Sequence, residues 1–366
     1  MKAVIVPQQG GMAEISTDIA VPSPSDTQIL VKSLYAAVNP ADIFMANMGL
    51  LVESWPLVPG CEASGIVVKA GKDAVSPLGE KFKEGDAVMG CVRLGWPGHG
   101  AWQEYFLLDA EVAIPKPENL SFEQACTVSV GVLTAFLGVF VELGVPLVDP
   151  ERLPSGANEW AIVFGGASAV GKFTMQALKL AGYKVLTTCS KQSFDVSYTT
   201  KESSHGAADE EQLAKSFGAD ATIDYKASES EIIEKVKQIT DSKIEVAFDA
   251  VAVNNGLVSS IFTAIPSTSG KRIYATTGDR DPAPDSSLGF VTKPIELGPI
   301  GRPSVAELNK HLNGFIPVIY KLLESGKLKA GEYSVEGEGV EGVLKAWEVQ
   351  KAGSSNRKVI AKIASG

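Results

Sequence analysis

Cysteine is scarce: Cys61, Cys91, Cys126 and Cys189 stand far apart in a chain of 366 residues, with no Cys-x-x-Cys pair. That excludes a disulfide framework and the clustered thiolates of a structural zinc lobe, and it suits a reduced, cytoplasmic setting. Histidine is scarcer still. His99 lies in a Gly-rich loop, His205 in a polar stretch and His311 in a helical pattern, so each reads as a surface or loop residue rather than a metal ligand. Positive charge is short, 33 Lys and Arg against 43 Asp and Glu, and the net −10 argues against nucleic acid or an anionic membrane as partner. Nothing at Met1 resembles a signal peptide either: the apolar run Ala3–Val6 is too short for one and Pro7 ends it. Glu142 and Pro146 interrupt the longest apolar stretch, Val128–Val148. Its uncharged part, Val128–Val141, has the length of a buried core helix and not of a bilayer span.

What is present centres on Trp160–Lys191. An apolar run, Trp160–Phe164, has the length of a buried strand. The turn Gly165-Gly166-Ala167-Ser168-Ala169-Val170-Gly171 follows. Val170, Phe173, Ala177 and Leu180 then recur at helical spacing until Gly182, and a second apolar run covers Tyr183–Thr187. Strand, glycine turn, helix and strand make one βαβ unit, which seats a dinucleotide pyrophosphate on a helix N-terminus. The fingerprint is degenerate, with Ser168 in the place of the second glycine of G-x-G-x-x-G; serine is small and its hydroxyl can donate to a phosphate. An unliganded βα turn is the alternative. An NAD site presents an acidic residue past the second strand, whereas this chain offers Ser190 and Lys191, which suit the 2′-phosphate of NADP(H). A solvated Ser-Lys turn is the plainer reading of the same pair.

Before the βαβ unit, β-rich runs at Ala3–Val6, Gln28–Leu34, Ala63–Lys69, Ala87–Val92 and Gln103–Leu108 are punctuated by Gly, Pro and Asp, the pattern of a small irregular barrel. Ser121 and Gln124 form a capping-box pattern that opens the apolar helix. Beyond it, Ser197–Glu210 is polar and aperiodic and reads as an exposed insertion. Helices at Glu211–Phe217 and Glu229–Thr240 alternate with strands at Ala221–Asp224, Glu245–Phe248 and Lys271–Thr276, which predicts a doubly wound parallel sheet. A helix over Val305–Glu324, kinked near Pro317, a last helix Gly339–Lys351 and a strand Lys358–Ile363 that returns to the barrel complete the chain.

Several segments carry a family likeness, and they arrive in order: Asn39-Pro40-Ala41-Asp42, Pro59–Gly65, Gly85–Val88, Gly100–Tyr105, Thr134-Ala135, the turn Gly165–Gly171 and Gly218-Ala219-Asp220. The chain resembles the medium-chain dehydrogenase/reductase superfamily. Within its zinc-independent branch it resembles the fungal stand-alone (trans-acting) enoyl reductases and the quinone oxidoreductases. The resemblance implies an α/β protein with a Rossmann domain over residues 126–300 and a GroES-like irregular β-barrel domain over 1–125 and 301–366. It also implies that Asn39 and Asp42 lie near the nicotinamide, and that Thr127–Thr134, with Ser129 among them, line the substrate cleft. Gly165, Gly166, Ala167, Ser168, Ala169 and Val170 would hold the pyrophosphate. Ser190, Lys191 and Tyr225 would meet the 2′-phosphate, and Ala250, Val251 and Lys358 would flank the cofactor. Where relatives often carry a lysine after N-P-x-D, this chain has Ile43-Phe44-Met45.

Zinc-dependent members of that superfamily use a Cys and a His-Glu pair as ligands, and here Asn39 and Cys61-Glu62 stand at those positions. The expectation is no metal, an improvised Cys61/Glu62 site being the alternative. Without a Lewis acid, the favoured substrate is a C=C conjugated to a carbonyl, free or carried as an enoyl thioester on a carrier protein. Asn39, Thr127, Ser129 and Thr134 are the candidate catalytic residues, each with packing as its alternative role. A quinone or other carbonyl oxidoreductase, and a non-catalytic NADPH-binding protein, are the rival readings. Monomer and homodimer both remain open.

Overall fold

The computed structural model describes residues 1–156, 159–190, 210–278, 289–353 and 357–365. Lys191 and all but the last residue of the stretch Ser197–Glu210 lie outside them. The chain divides into two compact units, Met1–Leu133 with Leu297–Gly366, and Thr134–Glu296.

The first unit begins with strands β1 (Ala3–Ile5) and β2 (Glu14–Ser16), an antiparallel pair. Strand β3 (Gln28–Ala37) is its frame, buried at eight of ten positions because strands flank it on both sides. After it come α1 (Pro40–Met48), β4 (Glu62–Ala70), β5 (Ala87–Cys91), β6 (Tyr105–Asp109) and β7 (Ile114–Pro115). One side of β3 pairs with β4 along its length, and the first half of the other side pairs with β6. Helix α1 has Pro40 at its first position, where a missing N–H costs nothing, and left-handed Gly49 at its end.

The capping box of Ser121 and Gln124 forms, with N–H donors at 3.2 and 3.0 Å, but it does not open the apolar helix. It opens one turn, α2 (Phe122–Ala125), which Cys126 caps at once while the Thr127 hydroxyl donates to the Gln124 carbonyl at 2.8 Å. The apolar helix starts afresh as α3 (Ser129–Phe136) and continues as a π-turn over Leu137–Glu142. Gly138 in that turn lies against Phe248 so closely that a Cβ would stand 2.4 Å from the ring. No helix among the described residues is long and apolar enough to cross a membrane.

The second unit alternates β8 (Trp160–Phe164), α4 (Ala169–Leu180), β9 (Lys184–Cys189), α5 (Glu210–Ser216), β10 (Ala221–Asp224), α6 (Glu229–Thr240), β11 (Ile244–Asp249), α7 (Asn255–Ala264), β12 (Ile273–Thr276) and β13 (Val291–Pro294). Its six strands are all parallel, in the order β10-β9-β8-β11-β12-β13. That is the doubly wound order, and its direction reverses between β8 and β11. Ile162, Phe164, Leu186, Ile223, Val236, Val258 and Tyr274 fill a core between sheet and helices.

The chain returns to the first unit through α8 (Ala306–Glu324), β14 (Tyr333–Glu338), α9 (Gly339–Lys351) and β15 (Lys358–Lys362). Pro317 sits inside α8 without ending it; Leu312, Phe315, Ile316, Ile319 and Leu322 are buried on both sides of it and hold the two halves together. Strand β15 pairs antiparallel with the end of β3 and parallel with β14, completing a seven-stranded sheet.

Candidate functional site

Two clusters of polar groups stand out, one in each unit. The first gathers where the end of β3, the start of β4, the N-terminus of α3 and β15 meet. Asn39 caps α1 and Asp42 is its third residue; the Asn39 N–H donates to Asp42 Oδ2 at 2.8 Å. Gly60 turns with φ +106°, where a Cβ would run into Trp102 and the backbone, and this aims its N–H at Asp42 Oδ1, 2.8 Å away. The Cys61 thiol donates to the same oxygen at 3.1 Å. Asp42 has no exposed surface, and burial pushes its carboxyl up to about 6 although these three donors and the Lys358 charge pull it down. Burial, with the Asp42 charge beside it, also pushes the Cys61 thiol well above its ordinary range, so it stays protonated as a donor.

Glu62 is as deeply buried. Its Oε2 accepts the Val130 N–H at 2.8 Å and the Ser129 hydroxyl at 3.2 Å, placing a negative charge at the N-terminus of α3. Its Oε1 lies 2.6 Å from Lys358 Nζ, and Lys358 also donates to Asn39 Oδ1. Asn39, Asp42, Ser129 and Lys358 are therefore brought together. The Thr127 hydroxyl donates to the Gln124 carbonyl at 2.8 Å. Thr134 lies five residues beyond Ser129 on α3, roughly 140° round the helix. His99 lies in a loop, one of the two places expected of it, and is buried there. Its Nδ1 donates to the Pro97 carbonyl at 3.1 Å and its Nε2 accepts from Gln28 at 3.1 Å; burial pushes its pKa down, so it is a neutral core group.

The second cluster is the glycine turn between β8 and α4. Gly165 has φ +74° and faces Val251, whose Cγ1 would lie 2.5 Å from a Cβ. A Cβ on Gly166 would stand 2.1 Å from Thr187 Oγ1, and one on Gly171 would stand 2.2 Å from the Gly165 carbonyl. Both glycines therefore let helix and strand approach closely. Ser168 caps α4, its hydroxyl accepting the Gly171 N–H at 3.0 Å. The N–H groups of Ala169 and Val170 open the helix and have no partner within it. Such a cradle fits a dinucleotide pyrophosphate.

Ser190 follows β9 and is buried, while half-exposed Tyr225 follows β10 and its N–H reaches the Cys189 carbonyl at 3.3 Å. The two thus flank adjacent strand ends, and Lys226 Nζ lies 5.9 Å from the Tyr225 ring centre. Across the switch point, Asp249 ends β11 fully buried. Its carboxylate accepts N–H groups of Val251, Ala252, Val253 and Asn254 at 2.8–3.1 Å and the Asn254 amide at 3.0 Å. The Ala250 N–H donates to the Phe164 carbonyl at 3.1 Å. Asp249 thus fixes the loop that sets Val251 against Gly165. Sequence reasoning passed over Asp249 and Lys226 and weighed Glu62 only as half of an improvised metal site; an aspartate closing a buried strand just before a short loop was the available signal for the first.

Residues 25–118 match the family described as the alcohol dehydrogenase GroES-like domain. The chain is 28% identical to the trans-enoyl reductase phm4 of a Pyrenochaetopsis species, over 98% of this chain and 94% of that protein. It is 32% identical to the trans-enoyl reductase tazE of Aspergillus terreus, over 64% of this chain and 73% of that protein. The fold is shared with Escherichia coli quinone oxidoreductase complexed with NADPH, at a TM-score of 0.73 and 18% identity, over 99% and 100% of the two chains. On this likeness the chain belongs to the trans-enoyl reductase family and carries its alcohol dehydrogenase GroES-like domain.

Proposed function

We propose that this enzyme uses NADPH to reduce the C=C of an α,β-unsaturated carbonyl compound or enoyl thioester, without a metal. The relatives' names supply the reaction class. The glycine cradle in the parallel-sheet unit supports a dinucleotide, and Ser190, Tyr225 and the neighbouring Lys226 support a 2′-phosphate on it. When bound, that cofactor supplies a hydride. The chain's own part is to hold the pyrophosphate on the α4 N-terminus through the N–H groups of Ala169 and Val170, to keep the loop after β11 in place through Asp249, and to offer donors to the substrate oxygen.

The observation that carries the metal-free reading is the commitment of each side chain at the family's ligand positions. Asn39 holds Lys358, Cys61 is a protonated thiol bonded to Asp42, and Glu62 is ion-paired to Lys358. Among the described residues, no group of three or more His, Cys, Asp or Glu is arranged to hold a metal ion. A reductase without a Lewis acid needs a substrate already activated for hydride, and a conjugated C=C is one. The quinone oxidoreductase neighbour favours quinones as the second reading. NADPH consumption with crotonyl thioesters, enones and quinones, each with and without a chelator, tests both. Chelator-insensitive turnover of thioesters or enones is expected; turnover of quinones alone, or activity lost on chelation, overturns the first reading.

A further inference from the structure

The amide of Asn39 is held at one end and open at the other. Its Oδ1 accepts from Lys358 Nζ, and Lys358 is held in turn by Glu62 Oε1 at 2.6 Å. An ammonium has no lone pair, so turning the amide over would set its NH2 against the NH3⁺; the network fixes which end is which. Asn39 Nδ2 is then the outward end. It is buried, with Asn39 only 3% exposed, and among the described residues it has no hydrogen-bond partner. A buried donor left unpaired loses its hydration without compensation, and such groups call for a partner that the free protein does not supply.

We propose that Asn39 Nδ2 is a catalytic donor to the carbonyl oxygen of the unsaturated substrate, and that Lys358 is its positioning residue. This rests on the enoyl-reductase reading above. Hydride arriving at the β-carbon moves the C=C π pair into a new bond between the α-carbon and the carbonyl carbon, and the carbonyl π pair onto oxygen. The oxygen becomes an enolate, and Asn39 Nδ2–H meets that growing charge. Collapse of the enolate returns the carbonyl, while the α-carbon takes a proton from water. Three features suit Asn39 to this. It caps α1, so the positive end of a nine-residue helix lies beside it. The ammonium on Oδ1 draws electron density through the amide and makes Nδ2–H a stronger donor. Glu62 balances Lys358, so the oxygen meets an oriented dipole instead of a naked cation that would bind any anion.

The test uses the whole enzyme with crotonyl N-acetylcysteamine thioester and the variants Asn39→Asp, Lys358→Met and Lys358→Arg. For Asn39→Asp, which keeps the shape but loses the donor, kcat should fall about 100-fold or more while the NADPH Kd stays within twofold. Lys358→Met should follow it, and Lys358→Arg should recover most of the loss. Infrared spectra of the ¹³C=O-labelled thioester bound with NADP⁺ should show its stretch lowered in the wild type and not in Asn39→Asp. A rise in NADPH Kd that matches the fall in kcat would assign the donor to the cofactor and overturn the proposal. So would unchanged kcat in Lys358→Met, the variant that decides if Asn39→Asp does not fold. A wild-type enzyme that turns over no enoyl substrate, with the carbonyl stretch still lowered, would overturn the reaction class and leave the donor standing.

Discussion

Asp42 shows how far a single buried carboxyl can shape the pH response. Burial pushes its pKa up to about 6, well above the ordinary carboxyl value. A carboxyl that binds its proton more tightly when folded contributes stability below about pH 4, and that contribution is lost as the pH climbs through about 6. Asp42→Asn should therefore flatten the fall in unfolding free energy between pH 4 and 6, read from urea melts at several pH values; curves parallel to the wild type would contradict it. Ser190 sets a second expectation. Asp in its place should repel a 2′-phosphate and raise the NADPH Kd at least tenfold with little change for NADH, while a Ser190→Asn control carries the bulk without the charge. Equal losses for both cofactors would refute the assignment. At this scale the sequence pointed to Asn39, Asp42 and Lys358 only through family likeness, since they lie as much as 319 positions apart and meet only in the folded chain. Thr127 donates to the Gln124 carbonyl, and Thr134 lies about 140° round α3 from Ser129.

The elements were legible in proportion to the periodicity they bury. Helix α6 has the ends read from its pattern, Glu229 and Thr240, because Ile232 and Val236 face the core and Ser228 caps it. Helix α1 was unread because few apolar residues mark its inner face, although Pro40 and the Asn39/Asp42 pair announce its start. Strands β13 and β14 lie at sheet edges, where partial exposure erases the alternation that betrays a half-buried strand. The loop after β11 is an element without periodicity at all. Ala252 there sits at φ +60°, a costly conformation for alanine, and the Asp249 carboxylate gathers the N–H groups around it. Asp249→Ala would strand those donors, and a loss of about 3 kcal/mol or more is expected together with weaker NADPH binding. Asp249→Asn, keeping one acceptor oxygen, should lose less. A melting temperature unchanged in Asp249→Ala would contradict this account of the loop.

At the scale of the molecule, two units divide the polar groups: one carries the glycine turn between β8 and α4 that we propose as the dinucleotide seat, the other gathers Asn39, Glu62 and Lys358. The order of motifs along the chain made this architecture readable, whereas the identity of the substrate is written in no short motif. The proposed metal-free chemistry predicts a zinc content well below one per chain and turnover indifferent to chelators. Tightly held zinc lost together with activity would contradict it. The central claim, hydride delivery to a conjugated C=C, is tested most directly by the fate of the label when NADPH deuterated at C4 reduces a crotonyl thioester or an enone. Deuterium on the carbon β to an intact carbonyl is the predicted result; deuterium on a carbinol carbon would contradict it.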